Sequence, residues 1–221
     1  MLRAMVSKEL RELLPVAAFA VVVYLWLGFG QPASPPWPLQ VLPIWGRAED
    51  FPFLSGEFLG SFAVVSGVFA VALGLRQTVS ESARGTWLLL LHRPAGRCRL
   101  VGMKLVVGAA VYLACAAAAI LLYAWWAATP GTHASPFQWW MTAPVWQLGI
   151  SMVVVYFGGF LSGIRPGRWI GTRLLPLAAA GLLVFFIQAA PQWWPLGLAA
   201  VALSAALLAV LIFFVASERD Y

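Results

Sequence analysis

Apolar and polar positions fall into long separate blocks along this chain rather than alternating. Six stretches, 13–29, 58–75, 105–126, 145–163, 174–190 and 195–216, contain no Lys, Arg, Asp or Glu. Each lies near the roughly 17–25 apolar residues that a helix needs to cross the hydrocarbon. Backbone groups cannot stay unpaired in lipid, so each stretch is expected to be helical. Long alternating strands are absent, which argues against a β-barrel. With their polar ends included, the spans are placed at about 13–29, 56–75, 102–126, 145–163, 172–190 and 195–216. The pattern predicts an all-α integral membrane protein with six transmembrane helices, forming a single domain over 1–221.

Composition sharpens this reading. Hydrophobic residues make up 62% of the 221 and charged residues 10%. A soluble domain carries roughly 25% charged residues, so a soluble enzyme, a disordered chain and a secreted disulfide scaffold are all excluded. The net charge of +6 would point to nucleic acid in a soluble protein, but here position matters more than the sum. Thirteen of the 14 basic residues lie in 1–12, 76–104, 164–173 and 217–221, and only Arg47 lies in the other set of segments. Lys and Arg concentrate in cytoplasmic loops, so both termini are expected inside. The membrane is expected to be a plasma membrane, with a bacterial inner membrane favoured. Ten of the 12 tryptophans fall at the opposite ends, as an interfacial aromatic belt would place them. The first apolar run resembles a signal peptide, but Gln31-Pro32-Ala33 is a poor cleavage site, and it reads as an uncleaved span.

The connecting segments carry their own signals. Over 1–14, Leu2, Val6, Leu10, Leu13 and Leu14 form one face and Arg3, Lys8, Arg11 and Glu12 the other. This fits an interfacial elbow helix, ended or kinked by Pro15; a simple topogenic flank fits as well. Six prolines in 30–57 forbid a long helix there. Glu57, at the mouth of the second span, reads either as a pathway residue or as one snorkelling to the headgroups. Gly56, Gly60, Gly67 and Gly74 offer small residues for close helix contact, either with a second copy, through the Gly56-x-x-x-Gly60 pair, or within one subunit. Thr78-Val79-Ser80-Glu81 fits a capping box, predicting a short helix through Leu91 that stops before Pro94. Residues 76–104 therefore form a large basic loop with a short helix across the membrane face. Residues 164–173 fit a basic headgroup anchor.

Familiar chemistry is missing. There is no P-loop motif, no metal-ligand spacing and no nucleophile elbow. The charge-free span interiors lack the ionisable groups that ion-coupled carriers use. The energy for any transport is expected to come from another subunit.

Glu81, Arg84, Gly85 and Thr86, the leucine run Leu88 to Leu91, then Pro94, Arg97 and Lys104 resemble the first cytoplasmic loop of the ABC-2 type permeases. These are the membrane subunits of ATP-binding-cassette exporters. Lys8-Glu9-Leu10-Arg11-Glu12 resembles that family's N-terminal elbow, and His92-Arg93 before Pro94 departs from its usual pattern. The resemblance implies a permease without enzymatic activity, with a cytoplasmic coupling helix in 76–104. Glu81, Arg84, Gly85 and Thr86 would contact the ATPase. It also implies two ATPase subunits that bind ATP and Mg, a second permease copy or relative, no cofactor or metal on this chain and no nucleic acid. A non-transporting membrane scaffold or accessory subunit is the competing expectation; an intramembrane enzyme is disfavoured by the apolar spans.

Overall fold

The computed structural model describes residues 2–29, 53, 56–84, 97–129, 137–165, 172–189 and 194–218. Among the described residues the regular structure is helical: α1 (Leu2–Phe29), α2 (Gly56–Arg84), α3 (Arg97–Ala127), a 3-10 turn (Trp139–Thr142), α4 (Ala143–Ile164), α5 (Leu175–Ala189) and α6 (Trp194–Glu218). Five of these stretches are long and apolar enough to cross a membrane: Arg3–Leu27, Phe58–Ser80, Cys98–Ala127, Trp139–Ile164 and Pro195–Ser217. The architecture is that of an all-α, multi-pass membrane protein. Helix α5 is shorter. Its 15 residues rise about 22 Å, less than the roughly 30 Å of hydrocarbon.

Helix α4 is the axle of the bundle. It packs against α2, α3, α5 and α6, while α1 closes the assembly against α2 and α3. Val145, Val154, Tyr156 and Phe160 on α4 are fully buried. Its small residues allow this crowding: a Cβ at Gly158 would lie 2.5 Å from the Cβ of Ala180 on α5. In lipid, helix association relies on such close van der Waals packing. The outer faces are apolar, with Phe19 and Val22 on α1, Phe185 and Phe186 on α5, and Leu203 and Phe214 on α6 all exposed. This distribution suits a hydrocarbon solvent and not water.

Two expectations about helix boundaries are corrected. Residues 1–14 are not a separate elbow; from Leu2 onward they are continuous with the first span, and Pro15 stands inside α1. The buried stripe Glu9, Leu13, Ala20, Tyr24 and Leu27 runs straight through the proline. Arg76 on α2 donates Nε–H to the Glu12 carbonyl at 3.0 Å, next to the Arg11 carbonyl that the proline leaves without its N–H. Leu10 and Leu14 consequently face outward, and the inward position of that face is taken by Glu9.

The second correction concerns Thr78. It caps no new helix, because α2 continues to Arg84. Its Oγ1 donates back to the Gly74 carbonyl at 2.9 Å, the arrangement open to threonine within a helix. No proline or glycine lies between Leu75 and Arg84 to break the run.

Candidate functional site: a buried polar network at the basic end

The basic ends of the helices gather at one end of the bundle. Arg76 reaches Glu12, Lys104 pairs with Glu9, and Arg173 donates to the carbonyls of Ser162 at 3.1 Å and Gly163 at 2.9 Å. Arg173 thereby satisfies the last carbonyls of α4, which have no partner inside the helix, and its charge favours the negative helix terminus. The expected headgroup anchor over 164–173 thus has one arginine turned inward as a cap.

At the centre of this end, four helices contribute one side chain each. Glu9 from α1 and Lys104 from α3 form an ion pair, with their side chains only 4% and 3% exposed. Gln77 from α2 donates Nε2–H to the Lys104 carbonyl at 3.0 Å and to Glu9 Oε2 at 3.4 Å. Tyr156 from α4 donates its hydroxyl proton to Gln77 Oε1 at 2.6 Å. The same hydroxyl lies 3.3 Å from the Leu105 carbonyl. A glycine makes room for this network: a Cβ at Gly108 would overlap the Tyr156 hydroxyl and stand 2.5 Å from Gln77 Oε1. The charged groups thus have partners, which is the condition for burying them in a low-dielectric interior.

Deeper in the bundle the polar groups are neutral. The Tyr24 and Ser66 hydroxyls hydrogen-bond at 2.8 Å, Tyr112 donates to the Gly149 carbonyl at 3.1 Å, and Gln188 donates to Ser151 at 3.1 Å. The far end is aromatic. The Phe53 ring meets Tyr123 edge-on at 4.7 Å and Phe58 at 5.4 Å, and Phe58 stacks on Tyr123 at 4.5 Å.

The sequence-predicted residues are distributed as follows. Glu81 and Arg84 belong to the last turn of α2, and Gly56 and Glu57 to its first turn; the four side-chain positions lie outside the described residues, as do Gly85, Thr86 and the helix expected through Leu91. Gly60 is exposed, with nothing within 4 Å of the place a Cβ would take. Gly74 packs inside the chain against α4, the within-subunit alternative of the two open to these glycines. Glu9, Gln77 and Tyr156 were not anticipated as a unit. The available signal was the spacing of Glu9 from Leu13 and Ala20, which puts the carboxylate on the buried face of α1.

The chain matches no family model, and neither curated proteins nor solved structures give a match.

Proposed function

We propose that this chain is the permease subunit of an ATP-binding-cassette exporter: six spans in the plasma membrane, both termini cytoplasmic, driven by a separate pair of P-loop ATPase subunits that bind ATP and Mg. A second permease copy or a close relative completes the unit. The resemblance of 76–108 to ABC-2 permeases supplies the family.

The structural observation that carries the reading is the buried network. Helix α2 runs to Arg84 and α3 begins at Arg97, so the loop that would meet an ATPase is held at both ends by long helices. Gln77 and Lys104, just inside those ends, are tied to α1 through Glu9 and to α4 through Tyr156. Displacement of the loop would be passed to four helices together rather than absorbed by one. ATP binding shifts such a system only through differential contact with its two states, and the loop offers Glu81, Arg84, Gly85 and Thr86 for that contact. The test is charge reversal at Glu81 or Arg84. Both variants are expected to insert and fold while ATP hydrolysis becomes uncoupled from transport, because a like-charge contact costs a partner affinity and register. Unaltered complex formation and coupling in both variants would contradict the assignment.

A further inference from the structure

We infer that the cleft between α1 and α2 is a binding site for one anionic phospholipid of the leaflet at the basic end of the bundle. The cleft has a volume of roughly 230 Å³ and is lined by apolar side chains throughout. Ala20 and Phe69 are buried and form its floor; Phe19, Val64 and Val68 are exposed and form its rims. Along α2 it extends from Val64 to Ala72, about 12 Å at the helical rise. That is a little under half of the roughly 30 Å hydrocarbon thickness, so the cleft has the length of one leaflet and not of a full span.

Its basic end is what selects the ligand. Arg76 stands one turn beyond Ala72 on the same face of α2, and its side chain is exposed. Its Nε–H donates to the Glu12 carbonyl, so the guanidinium bridges α2 to α1 one turn beyond the cleft. On the opposite wall Lys8 and Glu12 form an ion pair at 3.7 Å and cancel each other. With that pair balanced, Arg76 supplies, among the described residues, an uncompensated positive charge beyond the cleft, presented by the group best shaped for a phosphate. An acyl chain in the cleft and a phosphodiester at Arg76 satisfy both ends of the site at once. This inference is independent of the transport reading and requires only that the bundle sits in a membrane.

The experiment uses the full chain purified in mild detergent, stripped of lipid and re-exposed to phosphatidylglycerol or phosphatidylcholine, with retained lipid counted by native mass spectrometry. The wild type is expected to prefer phosphatidylglycerol by about fivefold, the effect of one cation near a lipid headgroup. Arg76→Gln should bring the two lipids to parity. Val68→Trp, a change at an exposed rim position that leaves the core intact, should fill the cleft and lose both lipids. Equal retention of the two lipids by the wild type, or undiminished retention by Val68→Trp, would overturn the proposal. So would crosslinking between copies at Val68→Cys that lipid does not reduce, since the cleft would then be covered by a second chain.

Discussion

Gly74 of α2 lies against the backbone of Tyr156 on α4, and a Cβ at position 74 would stand 2.6 Å from the Tyr156 carbonyl oxygen and 2.7 Å from the Phe160 nitrogen. Neither neighbour is a flexible side-chain tip. Gly74→Ala would have to push two packed helices apart and is expected to destabilise by about 1–3 kcal/mol. Gly60→Ala meets open space and should be neutral, or stabilising by up to about 1 kcal/mol from helix propensity. Thermal unfolding of both variants in the same detergent checks the contrast.

The Glu9–Lys104 pair gives a second prediction. Removing one partner leaves a charge buried and alone, which costs about 3–5 kcal/mol. Glu9→Met and Lys104→Met should each lose that much stability. The double variant should recover most of it, since an apolar pair of similar volume often replaces a buried ion pair without loss. A double-mutant cycle on unfolding midpoints measures the coupling; additive losses would mean that the two charges do not support each other.

Phe53 closes the aromatic end of the bundle with a φ of 67°, a backbone region that a bulky residue rarely occupies. The residue is 1% exposed, so burial among Phe58, Tyr123 and Phe137 offsets the strain. Phe53→Ala keeps the unfavourable backbone and loses the packing. A loss of about 3–5 kcal/mol is expected, read as an earlier thermal transition.

Orientation is tested by labelling. On a background lacking Cys98 and Cys115, a cysteine at position 99 should stay unlabelled by an impermeant maleimide in sealed cells, and one at position 47 should react. The basis is the concentration of basic residues at one end of the bundle. Labelling at 99 would invert the topology.

Much of the architecture was legible from block hydropathy, because a lipid solvent imposes the same demand on every span. What the blocks could not convey was which face of each helix turns inward. Leu10 and Leu14 read as the sheltered face of an amphipathic elbow, yet in lipid an exposed leucine is stable, and it was Glu9 that required shelter and a partner. Thr78 and Glu81 matched a capping box locally, but Thr78 sits against Gly163 in a contact that only the fold creates. Lys104 was visible as the start of a span. Its pairing with a residue 95 positions earlier depends on how α1 and α3 pack, and no local pattern encodes that.

The central claim, that this chain is driven by a separate ATPase bound through the end of α2 and the loop between α2 and α3, is tested most directly by co-purification. The chain is tagged, extracted from its native membrane in mild detergent, and the eluate is analysed by protein mass spectrometry. The account predicts a P-loop ATPase in one-to-one proportion with the permease subunits, retained by the wild type and held more weakly by Glu81→Lys. Recovery of the chain with no ATPase, from membranes in which it is intact and folded, would contradict it.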